Sequence, residues 1–186
     1  MKVEKLTATI PLPEGVSASL EIVEGVKELT VQGPKGTVKR RFAHPLINIT
    51  TDNDKVTLEI KNATKRHKTI VNTYRAHIRN LIKGVTEGFT YKLKICYSHF
   101  PMSVSIQNGK LIVKNFYGEK HPRTLDLPKD VSVKINGSII ELQGIDIEKV
   151  GNCATSIEQL TRITNRDRRI FQDGIFIIEK NGKSII

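Results

Sequence analysis

Tryptophan is absent from the sequence, and only four tyrosines and six phenylalanines occur. Those are too few flat side chains for a platform on which successive unpaired bases would stack. Cysteine is nearly missing as well. Cys96 and Cys153 stand far apart with no neighbouring ligands at metal spacing. That excludes a disulfide framework and a zinc site, and leaves each as a small core residue. No apolar run reaches the length of a signal peptide or the ~20 residues of a membrane span. The expectation is a soluble protein of a reducing compartment. Low-complexity linkers and acidic or glutamine-rich tracts are missing too.

Catalytic patterns are equally scarce. His44, His67, His77, His99 and His121 are scattered, and none stands at i, i+4 from a partner His or Glu. A lone histidine needs a second group before it can act as a base. His77, beside Tyr74 and Leu81 on a helical pattern, reads as an interfacial structural histidine. No serine sits in a Gly-x-Ser-x-Gly elbow. Gly33-Pro34-Lys35-Gly36 lacks the Lys-Ser/Thr ending and the immediate helix of a phosphate loop. It is a hairpin tip, either merely solvated or presenting Lys35 to a polyanion. The expectation is no enzyme, no cofactor, no metal, no membrane and no small-molecule substrate. The enzyme rival is an RNA-modifying or RNA-cleaving protein, which requires a base and a partner within one cleft.

Positive charge is what the sequence has in excess: 30 Lys and Arg against 19 Asp and Glu, a net +11. Such a balance points to an anionic partner. Two segments concentrate it. Lys61 to Lys94 holds nine basic residues against Glu87, and Arg162 to Arg169 holds four arginines against Asp167. Ile170 and Phe171, which follow, are expected to anchor the arginine loop to the core. Cations grouped on an exposed helix face or in a loop suit phosphate contacts, and arginine can grip phosphate oxygens in pairs. With so few aromatics, folded RNA recognised by backbone and shape fits best.

The chain of 186 residues is also written twice. Leu29 to Phe42 reads as strand, turn and strand, with Gly33-Pro34-Lys35-Gly36 at the tip. Leu111 to Gly118 repeats the shape, with Gly118 in the place of Gly36, and Arg123 and Leu125 follow. Short strands from Ser17 to Ile60, with Thr51 to Asp54 as a hairpin loop, precede a change of period. Ile70, Val71, Tyr74, Ile78, Leu81, Ile82 and Val85 then recur at helical spacing, within an arc of about 120° at ~100° per residue. Lys65, Lys68, Arg75, Arg79 and Lys83 fall on the far side. Thr64 is the expected N-cap and Gly84 the expected stop. Phe89 to Tyr97 alternates as the longest strand and is expected to bridge the halves. Further strands lead to Asp146, the expected cap of a second helix carrying Ile147, Val150, Ala154, Ile157 and Leu160. The predicted class is α+β: two duplicated modules, residues 1–85 and 86–186, each a small antiparallel sheet packed against one helix.

Several runs carry a family resemblance: Val31 to Gly36, Asn80 to Lys92, Tyr97 to Pro101, Asn115 to Lys120, and Asn165 to Ile175. On these the chain resembles, over nearly its whole length, the universal ribosomal protein family numbered six in the bacterial large subunit and nine in the eukaryotic one. The eukaryotic branch matches best. Lys61-Asn62-Ala63 stands where eukaryotic members usually carry a tryptophan pair, and the tail after Glu179 is short, which marks a reduced or divergent member. The resemblance implies a cytoplasmic, non-catalytic constituent of the large subunit. Its partners would be large-subunit rRNA and neighbouring large-subunit proteins, near the sarcin–ricin loop and the base of the factor-binding stalk. It assigns the main RNA contact to the C-terminal module, at Arg166, Arg168 and Arg169, with Lys114, Lys120 and Arg123 beside them. Lys35, Arg75 and Arg79 are the candidates from the first module. An extraribosomal RNA-binding protein or chaperone is the alternative.

Overall fold

Val56, Leu58 and Ile60 are buried along one strand while the residues between them are not, as the two-residue period requires. That strand is the middle of the first of two similar assemblies. The computed structural model describes residues 3–52, 54–98, 100–167 and 169–185, so Asn53, His99 and Arg168 lie outside the described residues. The chain divides into two compact units between Gly88 and Phe89.

The first unit runs β1 (Val3–Pro11), β2 (Ser17–Val23), β3 (Val26–Gly33), β4 (Gly36–Phe42), β5 (Asn48–Asp52), β6 (Lys55–Ala63) and α1 (Lys65–Thr86). Its strands form two antiparallel sheets, β1-β6-β5 and the meander β2-β3-β4. Helix α1 packs on β1 and β6 of one sheet and on β3 and β4 of the other. Leu29, Val31, Ile47, Leu58, Ile60 and Ile78 are fully buried where these layers meet. Thr64 caps α1 as expected, its hydroxyl accepting the His67 amide at 3.4 Å while the Thr64 amide donates to His67 Nδ1 at 3.3 Å. A histidine thus completes a capping box that usually uses Glu or Gln. Gly84 does not stop the helix. It is buried within the last turns, and the chain leaves at Gly88, whose φ of +76° supplies the left-handed turn. The Gly88 amide reaches back to the Lys83 carbonyl at 3.1 Å. Positive φ decides where a helix ends, and Gly84 serves packing instead.

The second unit repeats the order with β7 (Phe89–Cys96), β8 (Ser103–Gln107), β9 (Lys110–Lys114), β10 (Arg123–Asp126), β11 (Ser132–Asn136), β12 (Ile139–Gly144) and α2 (Ile147–Leu160). Strands β7-β12-β11 take the places of β1-β6-β5, and β8-β9-β10 the places of β2-β3-β4. The registers agree in detail. Val56 faces Ile10 and Leu58 faces Ala8; Ile140 faces Leu93 and Leu142 faces Tyr91. Asp52 pairs with Lys55 as Asn136 pairs with Ile139, so both hairpins have the same span. Asp146 caps α2, its carboxylate accepting the Glu148 amide at 2.9 Å.

Two strands have no counterpart. After α2 the chain returns as β13 (Gly174–Lys180) and β14 (Lys183–Ser184), and β13 pairs with the free edge of β7. Strand β7 is therefore the centre of the sheet β11-β12-β7-β13-β14 and not a bridge between halves. At eight residues it is shorter than β1 and β6, each of nine. Its buried Phe89, Tyr91, Leu93 and Ile95 reflect a strand covered by neighbours on both edges.

Candidate nucleic-acid interface

The repeated strand–turn–strand stretch does the same job twice. Lys35, at the tip between β3 and β4, donates through Nζ to the carbonyl of Glu87 and through its amide to the carbonyl of Val85 at 3.0 Å. These carbonyls end α1, where the helix dipole favours a cation. The tip lies so close that a Cβ on Gly33 would stand 2.7 Å from Cγ2 of Val85. In the second unit Arg123, opening β10, donates through Nη1 to the carbonyl of Leu160 at 2.7 Å and reaches that of Arg162 at 3.5 Å. Its guanidinium lies 4.3 Å from the Phe116 ring centre, and Nε donates to Glu119 at 2.8 Å. That hydrogen bond holds the Glu119 carboxyl below its ordinary range. Lys35 and Arg123 thus hold helix ends.

Beyond α2 lies the arginine-rich segment 162–173, fixed at both ends. Thr161 accepts the Ile175 amide on its hydroxyl at 2.9 Å. Asp173, only 2% exposed, accepts the amide and hydroxyl of Ser98 at 2.9 and 2.8 Å. Between them Asn165 takes a left-handed φ of +60°, and the Asp167 carbonyl accepts the amides of Ile170 and Phe171 at 3.2 and 2.9 Å. Phe171 meets Tyr117 edge-on at 5.9 Å between ring centres. Arg166 lies over this pair, 5.0 Å from the Phe171 centre and 5.7 Å from that of Tyr117. Ile170, expected as a second anchor, is 64% exposed, so Phe171 alone of the two holds the segment down. Arg169 pairs with Asp167 at 2.8 Å, yet its side chain remains 90% exposed. Hydrogen bonds from the Arg169 side chain and then its backbone lower the Asp167 pKa.

The second unit therefore brings Arg166 against the loop after β9, at Tyr117, with Arg169 exposed three residues further along the arginine segment. Lys114 and Lys120 are exposed at the two ends of that loop, on either side of the half-buried Tyr117. Arg168 lies outside the described residues. Tyr117 escaped sequence reasoning as half of the seat for Arg166; its separation of more than fifty residues from Phe171 hides the pairing. In the first unit Arg79 is exposed on α1, but Arg75 is half-buried, and its Nε is shut from solvent with no hydrogen-bond partner among the described residues. His77, expected to be structural, lies within 3.3 Å of Arg40 through Nε2. A cleft of about 650 Å³ lies beside the arginine segment, lined among others by Cys96, Ser98, Arg162, Phe171 and Asp173.

The family described as Ribosomal protein L6 matches the chain twice, over residues 12–88 and 100–174. One match falls in each unit. The chain is 44% identical to large ribosomal subunit protein uL6 of Nanoarchaeum equitans, over 100% of this chain and 99% of that one. It is 43% identical to the uL6 protein of Methanosarcina mazei, over 96% and 99%. The corresponding figure for Methanococcus vannielii is 46%, over 94% and 93%. These three relatives are archaeal, and the eukaryotic branch expected to match best is not among them.

Proposed function

The chain belongs to the ribosomal protein L6 family, and on that premise we propose that it is a structural, non-catalytic constituent of the cytoplasmic large ribosomal subunit. The second unit makes the main contact with large-subunit RNA, near the sarcin–ricin loop and the base of the factor-binding stalk, among neighbouring subunit proteins. The observation that carries this is Arg166 seated on Phe171 and Tyr117 in a segment pinned at both ends. A cation already held in place loses little conformational freedom on meeting a phosphate. Arg169, Lys114 and Lys120 add exposed charge around it.

Affinity for a large-subunit RNA fragment, measured at several salt concentrations, tests the reading. Replacing Arg166, Arg168 and Arg169 with Ala is expected to lower the log–log salt slope by roughly 2–3, at about 0.9 per duplex phosphate contact. The melting temperature should barely move, because exposed charges add little to folding. An unchanged slope would remove the contact from this segment. Sedimentation separates a ribosomal constituent, which stays with large subunits at high salt, from a loose RNA chaperone, which is stripped.

A further inference from the structure

We propose that the exposed face of α1 is a second RNA-backbone surface, separate from the arginine segment and resting on the RNA-binding reading above. Lys65, Lys68, Arg79 and Lys83 are all exposed. At ~100° per residue they fall within an arc of about 60°, so they form one straight stripe. Lys65 and Arg79 stand about 21 Å apart along the axis at ~1.5 Å per residue. Between Lys68 and Arg79 the exposed residues are Thr69, Asn72, Thr73 and Ala76, which are small and uncharged. Lys83 is paired with Glu87 at 3.6 Å, but Lys65, Lys68 and Arg79 meet no carboxylate among the described residues.

This face works against its own helix. The first turn contains no acid, and Lys65, Arg66 and Lys68 crowd the end where the dipole disfavours cations. Lys65 with Lys68, and Arg79 with Lys83, are like charges at helical spacing, which also destabilises. Even the capping box, where a glutamate would relieve the charge, uses His67. The fold does not demand such a face. Helix α2 occupies the equivalent place with Asp146 as cap and Glu148 in its first turn, and its single cation, Lys149, is paired with Asp130. Locally unfavourable chemistry at one of two equivalent positions points to a ligand. A straight row of cations with low side chains between them suits the backbone of an RNA duplex, recognised by shape.

Salt-dependent binding of the full chain to an RNA duplex of about 16 base pairs provides the test. The variant Lys65→Gln, Lys68→Gln, Arg79→Gln is expected to lower the log–log slope by roughly 2–3, at about 0.9 per contact, with an unchanged or higher melting temperature. A control with Lys129, Lys134 and Lys180 replaced by Gln removes the same charge from exposed positions elsewhere and should change the slope by less than about 1. Arg166→Ala with Arg169→Ala should lower the slope independently, the two losses adding. An equal loss in the control would overturn the stripe, showing net charge alone at work. An unchanged slope in the α1 variant, with loss only in the arginine variant, would overturn it and leave the proposed function standing. Failure of the unaltered chain to bind duplex would remove both.

Discussion

Lys35 and Arg123 come from equivalent hairpins, and each closes the C-terminus of its own unit's helix, yet they do so with unequal strength. Lys35 offers one ammonium to a carbonyl. Arg123 combines a carbonyl, a carboxylate and an aromatic face. The difference follows from what comes next in the chain. After α1 the chain passes from Gly88 directly into β7, while after α2 a long segment must be carried to β13. A planar cation with five donors can fix several groups around such a departure. The duplicated frame thus tolerates different loads at the same point.

The deepest test of the equivalence lies in the core. Leu58 and Leu142 occupy matching ladder positions and both are 0% exposed. Replacing either with Ala should cost about 2–5 kcal/mol in denaturant unfolding. A unit that tolerates the change would break the comparison. Arg123→Ala should come next, at about 1.5–3 kcal/mol for lost hydrogen bonds to a charged group, against about 0.3–1 kcal/mol for Lys35→Ala. Equal losses would show that the two caps carry equal load. Glycines sharpen the contrast further. Gly33→Ala drives a methyl into Val85 and should cost about 1–3 kcal/mol as overpacking. Gly118 has open space, its nearest neighbour being Phe100 at 3.6 Å, but a φ of +75°, so Gly118→Ala should cost about 1 kcal/mol of backbone strain. Differential melting of the two variants decides it.

The smallest expected effect is in acid. The Arg123 hydrogen bond lowers the Glu119 pKa, so the pair contributes stability above the unfolded carboxylate value of about 4.3 and loses it as pH falls through the folded one. Unfolding at pH 7 and pH 3 should show a small acid-sensitive component that Arg123→Ala abolishes. The Lys35 contact has a backbone acceptor and no carboxylate, so Lys35→Ala should leave acid sensitivity unaltered.

Local signals were legible in the sequence because they act locally. Thr64 and Asp146 cap their helices, and the change from period two to helical spacing marks α1. The duplication itself was visible in the repeated hairpin. What failed depended on distant residues. Gly84 looked like a stop until packing claimed it, and β7 looked like a bridge because its second neighbour, β13, is about eighty residues away. The carbonyls that Lys35 and Arg123 meet lie 52 and 37 residues off, beyond the reach of any local pattern. Phe171 was read correctly as an anchor, but Ile170 beside it was not, since alternate residues of a loop obey no fixed period.

The pairing of β7 with β13 also imposes an order on synthesis. Every element of the first unit precedes Gly88, so that unit has all its strands as soon as its own residues have left the exit tunnel. The second unit's central strand is made early but keeps an open edge until Gly174 to Lys180 follow. Domains fold as units in the order in which they are made. The arginine segment, slung between α2 and β13, gains its second anchor at Asp173 only then. The arginine surface proposed to hold RNA is therefore among the last parts of the chain to take shape.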